Sequence, residues 1–155
     1  MASARERFAE ACAALDFEAE VTEYPDGTRT ARDAAAAVGC DVAQIVKSLV
    51  FMADGAPVLA LTSGSNRVDP GALATLVGAE HVRQADADEA RGATGYSIGG
   101  TPPFGHPTPV ATWIDPDLCD HDAVWAAGGT PDTCFPISPD RLVALSVATV
   151  GDFTE

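Results

Sequence analysis

The stretch Ile45-Val46-Lys47-Ser48-Leu49-Val50-Phe51-Met52-Ala53-Asp54-Gly55 decides the fold class. It is an apolar run, broken once by a cation and once by a hydroxyl, and closed by Asp-Gly. Such a run reads as a buried strand, and Asp-Gly is a strong tight-turn signal. The residues beyond it, Pro57 to Thr62, read as the partner strand, so the two form a hairpin.

Outward from this hairpin, strands and helices interleave irregularly. Upstream, Phe8, Cys12 and Leu15 recur at helical spacing and predict a helix from about Ser3 to Leu15. Phe17, Ala19 and Val21 alternate with Glu18, Glu20 and Thr22, which predicts a half-buried strand ending near the Tyr24-Pro-Asp-Gly27 turn. Thr30 to Asp33 reads as a capping box opening a short helix through Val38, with Gly39 as its stop.

Downstream, Asp69-Pro70 starts a helix to about Val77, and a short strand covers about Glu80 to Gln84. Asp86 caps another helix with Glu89 in its first turn. Gly95 to Pro109 reads as loop, Val110 to Ile114, Val124 to Ala127 and Cys134 to Ile137 as strands, and Ser138-Pro139 as the start of a last helix. This order predicts an α+β domain: a mixed, largely antiparallel sheet with helices around it.

The chain has 155 residues. One domain spanning 1–155 is expected from that length, burying about 68–70% of the unfolded surface. No stretch reaches the roughly 18 apolar residues of a membrane span. The N-terminal segment has no continuous apolar run of the secretory kind, and Cys12, Cys40, Cys119 and Cys134 form no C-x-x-C pair, so a reducing cytoplasm is expected. Acidic residues number 23 against 9 basic ones, a formal charge of −14, and Lys47 is the only lysine. An acidic, lysine-poor chain resembles a protein adapted to a salt-filled cytoplasm, where a Debye length of about 3 Å or less screens self-repulsion; the alternative is an ordinary acidic cytosolic protein. It offers no general basic face to DNA or RNA; a nucleic-acid partner would be held locally, with Arg67, Arg83 and His106 as possible members of the contact.

Lys47 is the first candidate functional residue. An ammonium within a buried run must be paired or face a polar cavity, unless it snorkels from an edge strand. Lys47-Ser48 is not the end of a phosphate-binding P-loop, because Val46 stands where that motif requires glycine. The second candidate is the loop Gly95-Tyr-Ser-Ile-Gly99-Gly100-Thr-Pro-Pro-Phe104-Gly105-His106, whose glycines can turn amides toward an oxyanion. Its glycine spacing is not that of a dinucleotide fingerprint. His106 has no evident Ser or Cys partner for a triad. The third is Ala126-Ala-Gly128-Gly129-Thr-Pro-Asp132, either a tight turn or a close-approach site. Asp117-Leu-Cys119-Asp-His121-Asp122 lacks the further ligands a metal would need, so neither metal nor cofactor is expected.

Taken together, the K-S-L-V strand, the G-x-x-x-G-G-x-x-P-F-G loop, the strand ending in Gly-Gly and the P-x-x-L helix resemble the YbaK/EbsC-like family. Those are trans-editing aminoacyl-tRNA deacylases related to the editing domain of bacterial prolyl-tRNA synthetases. The resemblance runs from about Tyr24 to Leu145. It implies a barrel-like mixed sheet with surrounding helices. The activity it implies is metal-independent hydrolysis of the ester on a mischarged tRNA, of the Cys-tRNA(Pro) or Ala-tRNA(Pro) kind. The partners are a tRNA acceptor end and an aminoacyl-tRNA synthetase.

By the same resemblance Lys47, Gly99 and Gly100 are the catalytic positions, and Tyr24, Phe104, Gly105, Gly128 and Gly129 the substrate-binding ones; His106, from the glycine loop, and Asp132, after the second Gly-Gly, are added to them as substrate-binding candidates read from this chain itself. Backbone amides of both glycine pairs would hold the oxyanion. This chain departs from the family after Gly129. Thr130-Pro131-Asp132 replace a basic pair, and Cys134 falls near the place of an acid, which leaves the amino acid removed undefined. The alternative is a noncatalytic module that binds an aminoacyl-like ligand or a synthetase. A third reading is a hydrolase of free small esters.

Overall fold

The computed structural model describes residues 2–28 and 30–155. Its centre is the predicted hairpin. Strands β2 (Val46–Ala53) and β3 (Ala56–Ser63) pair antiparallel along their full length, Val46 opposite Ser63 and Ala53 opposite Ala56. Asp54 and Gly55 connect them, both at positive φ (49° and 85°), as a two-residue turn matching the strand twist requires. The Asp54 carboxylate accepts the amides of Glu80 and His81 at 3.0 and 2.9 Å, so the turn is tied to the segment before β4 (Val82–Gln84). These two amide bonds hold the Asp54 carboxyl below its ordinary range.

The hairpin is interior to a five-stranded sheet of order β4-β2-β3-β5-β8, with β5 at Ala111–Ile114 and β8 at Thr149–Val150. β3–β5 and β5–β8 are parallel, the others antiparallel. A second sheet, β1-β7-β6, is antiparallel and combines Thr22–Glu23, Thr133–Ile137 and Val124–Ala127. An isolated parallel bridge between Ile45 and Trp125 joins the two sheets. The sheet is therefore mixed, as expected, but it does not close into a barrel.

A central hairpin must be apolar on both faces, and β2 divides its residues by parity. Val46 and Val50 belong to the main core with Phe8, Leu59, Leu61, Ile114, Phe135 and Leu142. Phe51 and Ala53, with Leu49 beside them, face a second cluster around Leu73 and Phe153. The first is covered by α1 (Ala4–Ala14), whose Phe8 ring lies 5.1 and 5.7 Å from the Phe135 and Phe104 rings. The second is covered by α3 (Pro70–Val77).

Helix termini follow the sequence signals. Ser3, Thr30, Asp69, Asp86 and Ser138 cap α1, α2 (Ala31–Val38), α3, α4 (Ala87–Thr94) and α5 (Pro139–Ser146). Asp86 and Glu89 form the reciprocal box; at Thr30 only the half in which its hydroxyl accepts the Asp33 amide is formed among the described residues. Residues 17–21 keep their alternating exposure, but ladder pairing begins only at Thr22, opposite Cys134. β8 carries no strand signal of its own: it is two residues long and exists because β5 offers it an edge.

Gly64, directly after β3, is a point of close approach. A Cβ there would stand 2.4 Å from the Val42 carbonyl oxygen and 2.9 Å from the Ala31 Cβ. Gly64→Ala is therefore expected to destabilise the chain by about 1–3 kcal/mol through overpacking. A lowered denaturant midpoint with unchanged m-value checks this, and an unchanged midpoint refutes it.

Candidate active site

A cavity of about 400 Å³ lies beside the even-numbered face of β2, between the two sheets and α2. Its wall is mostly small: Ala31 and Ala34 from α2, Gly64, Ala85, Ala90, and Ala126 and Ala127 from β6. Leucines at those positions would fill the space, so the alanine-rich composition keeps it open. The polar wall residues are Thr28, Thr30, Lys47, Ser48, Gln84, Thr101, Thr133 and Cys134, and Ile98 and Gly99 belong to the same wall.

Most of these hydroxyls are engaged within the protein. Thr28 donates to the Pro131 carbonyl, Thr101 to the Ser97 carbonyl, and Thr133 pairs with Thr130. Ser48 is different. Its Oγ is buried and bonds no protein group among the described residues, and by strand parity it shares the face of Val46 and Val50. A buried hydroxyl without a partner costs stability and is available to whatever occupies the cavity. Burial pushes the Cys134 thiol up, with the neighbouring Thr28 hydroxyl opposing, so it is a neutral wall group and not a thiolate nucleophile.

Lys47 leaves the strand on the opposite face from Ser48. It stands across from Thr62, and its ammonium donates to the Asn66 carbonyl in the loop that starts at Gly64. Burial lowers its pKa most, Arg67 lowers it further, and Asp115 raises it. Lys47 is thus part of the cavity wall, and its ammonium is bonded in the Gly64–Arg67 loop beside it. It does not project between two glycine turns.

The glycine positions divide in the same way. Gly99 lines the cavity, at φ 88°. Gly100 is pressed against the other loop: a Cβ would lie 2.9 Å from the Thr130 backbone, so only glycine lets the two loops touch. Its amide donates to the Ser97 carbonyl, and that of Gly128 to Thr133, which leaves neither for an oxyanion. Gly128 and Gly129 face Val21 and the Ala4 carbonyl instead of the cavity.

The remaining expected residues lie outside the wall. Phe104 is core, in edge contact with Phe17 and Phe135. Gly105 abuts Ala11. His106 donates through Nε2 to the Pro102 carbonyl at 2.8 Å, and burial lowers its pKa, so it is a neutral structural imidazole. Tyr24 packs with Ala34, Ile45 and Cys134 next to the cavity, and its amide donates to the Asp132 carbonyl at 2.7 Å. The Asp132 carboxylate is turned onto Thr130 Oγ1 at 2.6 Å. Arg83 is committed to a bidentate pair with Glu89, at 2.7 Å through each nitrogen, which holds Glu89 down at about 2. Sequence reasoning missed Ser48, Gly64 and Asn66. The cluster Ser63-Gly-Ser-Asn66 after a strand was the available sign of a shaped loop.

Residues 25–145 match the model of the aminoacyl-tRNA editing domain, and the chain belongs to that family. A crystal structure of a candidate trans-editing enzyme for prolyl-tRNA synthetase superimposes with a TM-score of 0.93 at 46% identity, covering 100% of this chain and 99% of that one. An uncharacterised protein of Bacillus subtilis, YwhH, is 28% identical over 134 residues, 86% of this chain and 85% of its own. The proline–tRNA ligase of Nitratidesulfovibrio vulgaris (strain DP4) is 32% identical over 111 residues, which are 71% of this chain but 19% of the ligase.

Replacing the unpartnered hydroxyl should not cost stability. Ser48→Ala is expected to leave the unfolding free energy unchanged or to raise it by up to about 1 kcal/mol. A loss greater than that in chemical denaturation would mean that Ser48 has a protein partner.

Proposed function

We propose that the chain is a trans-editing aminoacyl-tRNA deacylase that removes a small amino acid from a mischarged tRNA of the Ala-tRNA(Pro) or Cys-tRNA(Pro) kind. The observation that carries this reading is the small-walled cavity beside Ser48 within an editing-domain fold. Its volume suits an aminoacyl group with part of the terminal ribose, and its alanines and glycine disfavour nothing small. Membership of the family and the near-complete overlap with the trans-editing neighbour support residues 1–155 acting as one editing unit, working alongside a prolyl-tRNA synthetase.

The chemistry is ester hydrolysis. Water adds to the carbonyl carbon, the bond to the ribose oxygen breaks, and that oxygen takes up the proton the water loses. Among the described residues the cavity wall supplies no activated side-chain nucleophile, which suits attack by a positioned water that the neighbouring ribose hydroxyl orients. Ser48 Oγ donates to or accepts from the aminoacyl group. The Gly99 amide, uncommitted among the described residues, is the candidate oxyanion donor. Losing one such donor typically costs about 3–4 kcal/mol of barrier. Lys47 keeps two N–H groups beyond its Asn66 bond. On the face it shares with Arg67 they suit the terminal phosphate better than the ester carbonyl, and so fix the ester's position over Ser48.

Purified protein in multimolar KCl, given a panel of mischarged tRNAs, is expected to deacylate the small aminoacyl esters. Lys47→Ala should lower kcat/KM by about 100-fold, the scale of lost positioning. Tight binding without turnover would make the protein a binding module, and equal activity on aminoacyl esters lacking tRNA would make it a small-ester hydrolase; either outcome overturns the proposal.

A further inference from the structure

Asp115, the residue directly after β5, has 1% of its surface exposed, and no role was expected of it. Register places it in line with Lys47. Lys47 stands opposite Thr62 on one face of the sheet, and Asp115, one residue past the last β3–β5 pair of Leu61 and Ile114, continues that row. Thr62, between them, is fully buried and spends its hydroxyl on the Ala60 carbonyl.

The Asp115 carboxylate is almost fully occupied. Oδ2 accepts the Ser63 amide at 3.1 Å and Asn66 Nδ2 at 2.8 Å, and Oδ1 accepts the Asp117 amide at 2.9 Å. Asn66 Nδ2 also donates to Asp117 Oδ2 at 2.7 Å, so both its N–H groups are fixed between two carboxylates. The Asn66 amide donates to the Ser63 carbonyl at 3.0 Å. Held by side chain and backbone together, Asn66 presents its backbone carbonyl to the Lys47 ammonium.

We propose that Asp115 is a positioning residue for Lys47: its buried carboxylate locks Asn66, and Asn66 in turn sets where the ammonium of the chain's one lysine stands. The charged groups that face Lys47 are Arg67 from the loop after β3, Asp115 from directly after β5 and, beyond Asn66, Asp117 from the turn that follows. Arg67 disfavours the ammonium and Asp115 favours it. A partly buried cation beside a second cation would otherwise shed its proton or swing away. The inference deepens the reading in which Lys47 engages the acceptor end, and rests on it for its functional consequence.

Because Lys47 is the only lysine, 13C-lysine labelling gives one side-chain resonance to follow by NMR without substrate. In Asp115→Asn, which keeps the shape and an acceptor, the Lys47 titration midpoint should fall by about 1 pH unit. The alkaline limb of the deacylation profile should move down with it, since losing the negative charge favours the neutral amine. Asp117→Asn, at an exposed position, should move both in the same direction by less, and serves if Asp115→Asn does not fold. An unchanged Lys47 midpoint in a folded variant would reduce Asp115 to a cap of its turn and overturn the proposal. Absence of deacylation on every tRNA, with the midpoint shifted as expected, would instead strike only the functional reading.

Discussion

The two-residue period of β2 is the constraint on which the rest depends. Successive side chains on a strand must point to opposite faces. Lys47 and Ser48 are neighbours in sequence, yet the hydroxyl enters the space between the sheets while the ammonium goes to the other side. Full-length pairing with β3 fixes that assignment, because a slip of one residue would exchange the faces and place the cation in the main core. One strand thereby supplies the wall of a cavity and the charge near its edge.

The cavity itself is a matter of side-chain size. Two sheets joined at the Ile45–Trp125 bridge would collapse on each other if large residues faced inward throughout. Elsewhere they do, as the contacts among Phe8, Phe17, Phe104 and Phe135 show. Around Ser48 the wall changes to alanine and glycine, and the aromatic packing gives way to open volume. Most of the threonines there are satisfied by backbone carbonyls, so the unpartnered hydroxyl is the more distinctive.

Electrostatics adds a second layer. A chain with a formal charge of −14 has placed two of its carboxylates, those of Asp115 and Asp117, around Asn66 behind the ammonium of its one lysine. Exposed charges act weakly over more than a Debye length, whereas partly buried ones are screened much less. Local order around Lys47 thus survives conditions in which the surface charges are muted, and the acidic exterior and a cationic contact can coexist.

Local signals were strong enough to be read directly from the sequence. The hairpin, its Asp54-Gly55 turn and the helix N-caps follow from short-range rules, because capping and turn geometry depend on residues within a few positions of one another. The K-S-L-V strand and glycine loop also carried the family. Tertiary structure decided the rest. It limited pairing before Tyr24 to two residues and added β8. It left the sheets unclosed, and it turned Gly128, Gly129, Phe104, Gly105 and His106 toward core and helix. It also brought Asp115 into line with Lys47 from 68 positions away. Strand register and loop-to-loop contact are long-range quantities, fixed only when the whole core packs at once.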